Sequence, residues 1–362
     1  MAQYLMLKDT PVLKINDHYG CEILDLARLP HALRYPDVNY DDVMHGWTEV
    51  RTMSVGRTNG KKILEALGIK QRNPYIIAKA CHFASLSDCY WLKEENETIT
   101  WKDVSFFPAD FDKNLVHISL FGGDKDVSDI LSFRSTGRLK TPEPVTLGQA
   151  AKSWVWNADG VQLYKVGRKE LAASKILDLL GIDHVAYEAA EEWELLQYTT
   201  PERLKVIRDA GEVVVKCSCI TSEEFSIITW EDYQIYCDRN ELDPYEILKT
   251  GNKKAYARMQ AADYLLNNSD RHEGNWGFYV DNGSGEIVRL HPLFDHDQAF
   301  SASEVLISQT SEKGETLLEA AINSLKDAGL NLQSLFENLG QVEYLTPDER
   351  QGVLKRVNTL RK

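Results

Sequence analysis

The chain has 362 residues, 43% of them hydrophobic, with a formal net charge of −14 and a pI near 5.2. That length supports two domains with buried cores. The acidic balance argues against a default binder of nucleic acid or anionic membrane, because either would repel the chain at long range. The opening MAQYLMLKDTP has only a four-residue apolar run before charges appear, unlike a secretory signal. No apolar stretch approaches the roughly 20 residues that cross a bilayer, so the expected location is cytoplasmic. The cysteines Cys21, Cys81, Cys89, Cys217, Cys219 and Cys237 form no CxxC pair and read as reduced, half-buried thiols rather than a zinc site.

In chain order, YLMLK, PVLKI and ITWKDVSFF read as strands, and GKKILEALGI reads as a helix closed by Gly68. Trp47, Arg51 and Arg57, with the aromatic-rich run Ser85–Trp91, read as a half-buried sheet with aromatic edges; the alternative is a surface that recruits a substrate or partner. The polar segment FGGDKDVSDILSFRSTGRLKTPEP marks a linker or mobile loop, with a domain boundary near 130–142. Beyond it, Ser153–Trp156, the turn Asn157-Ala158-Asp159-Gly160 and Val161–Val166 predict a hairpin. KELAASKILDLLGI follows as a helix stopped by Gly181. VAYEAAEEWELLQY fits strand or helix equally. Thr200-Pro201 opens a short helix, and GEVVVKCSCI reads as a central strand. A long helix spans about 253–267, and from residue 300 the pattern is helical to the end.

The chemistry concentrates in NSDRHEGNWGF (268–278), a strand–turn–strand unit, and then HPLFDHD (291–297). The hairpin returns the chain, so Asp295 is expected close to the loop that holds Asp270 and Asn275. Phosphoryl transfer needs this grouping: a carboxylate to orient the attacking hydroxyl, and hard oxygen donors to hold Mg²⁺ against phosphates. Asp270 and Asn275 have the D-x4-N spacing of a protein-kinase catalytic loop. Asp297, two residues after Asp295 and on the same side of an expected strand, is a further candidate donor. A solvated turn with local salt bridges would explain Asp-Arg-His alone. A metal-dependent hydrolase using Asp270, His272, Asp295 and His296 is another reading.

On the nucleotide side, Lys165 at a strand end suits a phosphate contact, and Glu170 on the following helix could pair with it. The loop around Gly148, ending in Lys152 and Ser153, could offer N–H groups and an ammonium to phosphate. It holds one glycine and no GxGxxG, and the HRD and DFG motifs of ordinary protein kinases are missing.

These residues give the sequence its likeness. It resembles the HipA-like kinases, a bacterial branch structurally near the phosphoinositide 3/4-kinases. NSDRHEGNWGF looks like that family's DRHxxN catalytic loop and PLFDHDQAF like its later metal-binding Asp; the similarity extends to TLGQAAKSW, LYKV and ELAASKILDLLGI, over about 140–310. The resemblance implies Asp270 as catalytic base and Asn275 and Asp295 as magnesium ligands. It implies Lys165 as the phosphate-contacting lysine with Glu170 as partner, and 147–153 as the loop over the nucleotide. It further implies phosphorylation of protein serine or threonine, with autophosphorylation near that loop, where Thr141, Thr146 and Ser153 are the local hydroxyls. Several relatives are toxins with a DNA-binding antitoxin. No convincing helix-turn-helix is seen here, so any DNA contact would come through such a partner.

The expected fold is α+β: a mixed N-terminal domain over 1–135 and a bilobal, HipA-like kinase domain over 136–362, with its small lobe to about 225. The expected activity is ATP- and Mg²⁺-dependent phosphoryl transfer to a hydroxyl, with a protein substrate. A small-molecule or lipid kinase, and a nucleotide-binding pseudokinase or partner scaffold, are the alternatives.

Overall fold

The computed structural model describes residues 2–54, 56–70, 73–107, 111–123, 141–303 and 305–362. The domain boundary expected at 135/136 and most of the expected linker lie outside the described residues. Two compact units emerge. One comprises Met1–Val166, Ala190–Ile227 and Val280–Glu286; the other comprises Gly167–Ala189, Ile228–Tyr279 and Ile287–Lys362.

The first unit contains the antiparallel sheet β3-β2-β1-β4, built from β1 (Gln3–Leu7), β2 (Thr10–Ile15), β3 (Cys21–Ile23) and β4 (Tyr90–Glu94). Leu5, Leu13, Trp91 and Phe106 share its core. Its second sheet holds β5 (Lys152–Asn157), β6 (Gly160–Val166) and β8 (Val214–Ser218), with β6 paired antiparallel to both neighbours. The expected hairpin is present, and β8 packs the buried Val214, Val215 and Cys217.

Three expectations change here. ITWKDVSFF contains the helix Trp101–Val104 rather than a strand. Thr100 and Asp103 form a reciprocal capping box, a local signal that outweighs the β propensity of the aromatic run. The segment around Trp47 is helical (Asp42–Trp47), not a sheet. Neither Arg51 nor Arg57 belongs to an exposed recruiting surface. Arg51 is buried, donates to both carboxylate oxygens of Asp88 at 2.7 and 2.8 Å, and lies over the Trp47 ring. VAYEAAEEWELLQY divides between the two states: β7 (Glu188–Ala189) precedes a single helical turn, Glu192–Leu195.

The second unit is mainly helical, with the helices Arg168–Leu180, Trp230–Arg239, Glu246–Thr250, Lys253–Leu266, Leu317–Ala328, Leu332–Asn338 and Pro347–Leu360. Ile176, Leu177, Met259, Leu265, Phe278, Leu335 and Val357 are among its core. A sheet of order β11-β10-β9 uses β9 (Phe225–Thr229), β10 (Gly277–Asp281) and β11 (Ile287–Leu290), of which residues 228–229, 277–279 and 287–290 belong to this unit. The expectation of helix from residue 300 onward holds only from Leu317. In 305–316, Ile307 and Thr316 form an antiparallel bridge, and Gly314 turns the chain with φ +64°. The Ser311 hydroxyl donates to the Glu315 carboxylate at 2.6 Å, local bonding that competes with helix. Among the described residues, no helix is long and apolar enough to cross a membrane.

Candidate active site

The helix Lys253–Leu266 turns one face of alanines, Met259, Leu265 and Leu266 into the core of its unit, and also buries Asp263 there. Asn267 ends it in the left-handed conformation, φ +48°. Its amide donates to the carbonyls of Ser301 and Ser303, both at 2.8 Å, which anchors the exit of the helix. The loop that follows is held by its own polar groups. Asn268 accepts the Asp270 N–H at 3.3 Å, and the Asn275 side-chain amide donates to the Asp270 carbonyl at 3.0 Å. Asp270 is therefore fixed at both backbone ends. Its half-exposed carboxylate makes no hydrogen bond or ion pair among the described residues.

Arg271, next in the chain, points inward and is 2% exposed. Its Nε lies 3.2 and 3.3 Å from the Asp263 carboxylate oxygens. Its Nη1 donates to two carbonyls, Asn275 at 3.0 Å and Phe294 at 2.6 Å. One guanidinium thus joins the Asp270–Asn275 loop to the residue immediately before Asp295. The hairpin closes the same circuit through the backbone: Trp230 donates its N–H to the Trp276 carbonyl at 2.8 Å, and His291 donates its N–H to the Gly277 carbonyl at 3.1 Å.

Asp295 has φ +59°, a left-handed conformation that costs a non-glycine residue about 1–2 kcal/mol. The expected strand through 295–297 is absent as a result, and side-chain alternation does not set the direction of Asp297. Both carboxylates are half-buried. On the far side of Asp295, His296 donates its backbone N–H to the Glu170 carboxylate at 3.0 Å. The His296 ring is completely buried, and burial lowers its pKa despite the nearby Glu170.

Asn275, Asp295 and Asp297 supply two carboxylates and an amide, the hard oxygen donors that Mg²⁺ takes. The Asn275 nitrogen is engaged by the Asp270 carbonyl, which leaves its oxygen as the donor. The hydrolase grouping does not assemble: His272 is exposed while His296 is sealed in the core. Among the described residues, no three His, Cys, Asp or Glu side chains come together as a metal-holding group.

The remaining site candidates, apart from Glu170, belong to the first unit. Lys152 and Lys165 stand opposite one another in the β5–β6 register, so both side chains leave the same face. They are 9% and 4% exposed, too buried for the solvated lysines that commonly end strands. Gly148 is exposed with φ +86°, and a Cβ there would lie 2.4 Å from the Lys152 Nζ. The loop therefore passes directly over an ammonium. Ser153 turns the other way: it is fully buried and donates to the Glu143 carboxylate at 2.7 Å. Glu143 in turn pairs with the buried Arg57, at 2.5 Å. Thr141 and Thr146 are also buried, so in this conformation none of the three local hydroxyls is presented as an acceptor.

The sequence suggested no role for Arg271, Asp263 or Glu143, and placed Arg57 only in a half-buried sheet or a recruiting surface. One signal was available, an acid at position 263 on the apolar face of a helix, where an unpaired charge is too costly to leave.

No family model matches the sequence, and no curated protein matches it. Solved structures do. One is the HipA–HipB–operator DNA complex of a Shewanella oneidensis MR-1 toxin–antitoxin system. The alignment covers 99% of this chain and 97% of that one, with a TM-score of 0.52 at 9% identity. The chain has a HipA-like kinase fold. The Helicobacter pylori proinflammatory kinase CtkA is also matched, over 58% of this chain and 90% of its own, at 14% identity and a TM-score of 0.42. The HipA-like fold accommodates the α+β class expected from sequence, and its full-length coverage includes the first 130 residues, which the motifs left unexplained.

Proposed function

We propose that this protein transfers the terminal phosphoryl group of Mg-ATP to a hydroxyl, with serine or threonine of a protein as acceptor. The observation that carries the reading is the Arg271 bridge, which ties the Asp270–Asn275 loop to the turn bearing Asp295. Asp270, rigidly based and with a carboxylate that no described residue engages, is the group we assign to accept the proton of the attacking hydroxyl. Asn275 and Asp295, with Asp297 as a further donor, would hold magnesium. The metal would supply charge neutralisation on the phosphates.

Lys165, Lys152 and Gly148 are proposed as the nucleotide-side residues, with Glu170 as the lysine's partner; Ser153, turned away and bonded to Glu143, is not among them. The support is the pair of buried lysines on one sheet face beneath an open glycine loop, an arrangement that suits a polyanion. The likeness to a HipA found with HipB and operator DNA further supports a DNA-binding, antitoxin-like protein as partner.

The test is transfer from γ-labelled ATP with magnesium, comparing wild type with Asp270→Ala, each alone and with protein, lipid and small-molecule acceptors. Label on protein from the wild type alone supports the proposal. Label only on a lipid or small molecule replaces the acceptor class. Thermal stabilisation by Mg-ATP with no transfer to any acceptor indicates a pseudokinase.

A further inference from the structure

We propose that Glu170 is a positioning residue for Asp295, acting through the backbone of His296 rather than only through a lysine. This rests on the reading above that Asp295 serves as a metal ligand.

Glu170 lies in the first turn of the helix Arg168–Leu180 and is completely buried. Its Oε2 accepts the His296 N–H at 3.0 Å. The imidazole is not what makes this tie. Its Nδ1 is 3.7 Å from the same carboxylate, close enough for an electrostatic contact but beyond hydrogen-bond range, and among the described residues neither ring nitrogen has a hydrogen-bond partner. The contact is therefore to the main chain, one residue past Asp295.

On the other side of Asp295, the Phe294 carbonyl accepts from the buried Arg271 at 2.6 Å. The peptide groups before and after Asp295 are thus gripped by buried charges of opposite sign. Between them lies the residue with φ +59°. A left-handed aspartate relaxes toward ordinary backbone when its neighbours are released, and that rotation swings the side chain away from its present direction. The carboxylate of Glu170 supplies one of the two restraints. Groups behind metal ligands that fix their orientation typically change metal affinity about 10–100-fold when removed.

The two roles of Glu170 separate under Glu170→Gln. A carboxamide oxygen still accepts the His296 N–H, while pairing with a cation is weakened. Glu170→Ala removes both. Two measurements on the full chain read the difference. The first is hydrogen exchange of the segment containing His296, without nucleotide or metal. The second is the MgCl₂ concentration giving half-maximal phosphoryl transfer at saturating ATP.

Glu170→Ala should speed exchange of the His296 amide and raise the Mg²⁺ half-saturation, the latter by about tenfold or more. Glu170→Gln should restore both toward wild type, while its maximal rate is free to fall through the lost charge. Should the Ala variant fail to fold, the Gln variant decides alone. A folded Gln variant with fast His296 exchange and a high Mg²⁺ requirement would overturn the proposal, as would an Ala variant unchanged in both. If wild type transfers no phosphoryl group, the reaction assignment fails. Exchange still decides whether Glu170 holds this turn.

Discussion

Arg271 and Asp263 form a buried ion pair, 2% and 1% exposed, across the end of the helix that delivers the candidate catalytic loop. A buried charge left without its partner is strongly destabilising, and this arginine also satisfies two carbonyls.

Arg271→Ala should lower stability by about 3–5 kcal/mol, the usual consequence of stranding one member of a buried pair. Arg271→Lys should not rescue it, because an ammonium lacks the planar fork that reaches the carboxylate and both carbonyls together. Urea denaturation followed by tryptophan fluorescence measures both effects. Arg271→Ala within 1 kcal/mol of wild type (about a fivefold change in the folding equilibrium) would contradict this account of the loop.

Asp270→Asn should separate activity from stability. Its carboxylate holds no described residue in place, so unfolding free energy should stay within roughly 0.5 kcal/mol of wild type. Phosphoryl transfer should fall by about 10²-fold or more, as expected on losing a positioned general base. Unchanged transfer would remove Asp270 from the mechanism.

Gly277 is required for packing. An added Cβ would lie 2.0 Å from the Ile228 carbonyl oxygen, where β9 and β10 run together. Backbone on both sides has little room to yield, so Gly277→Ala should cost about 1–3 kcal/mol or more. Thermal unfolding of the variant tests this. A neutral outcome would mean the two strands are less closely apposed.

Stability should weaken on mild acidification. Burial, reinforced by Arg34, lowers His31 to about 3; burial, opposed by the Pro292 carbonyl, lowers His291 to about 4, both from 6.5. Above pH 6.5 both are neutral in either state and contribute no dependence. Below it the unfolded chain takes up protons that the folded chain refuses, so each histidine removes about 1.4 kcal/mol per pH unit until its folded pKa is reached. Replacing both with Gln should flatten the stability profile between pH 4 and 6.5. An equally steep profile would assign the dependence to other groups.

Much of the candidate site was legible in sequence because its signals are local. The D-x4-N spacing, the DNGSG turn and the pair of asparagines after a helical run lie within 30 residues, and each constrains the backbone on its own. The strand misread over ITWKDVSFF shows the limit of composition: Thr100 and Asp103 bond reciprocally and nucleate a helical turn, which a propensity scan misses. Asp297 shows another. Alternation presumes an extended chain, and the left-handed Asp295 interrupts it.

By itself the sequence determined most helix caps and turns, the α+β class and the candidate residues proposed for phosphoryl transfer, since these follow from short-range steric and hydrogen-bonding preferences. Only the tertiary structure decided which buried charges hold those residues in place. Asp263 meets Arg271, Glu143 meets Arg57 and Glu170 meets the His296 N–H because helices and strands pack in one register. The last two partnerships span 86 and 126 residues, separations at which sequence spacing carries no geometric information. Burial makes each such charge expensive to leave unpaired, and the packed core selects its partner.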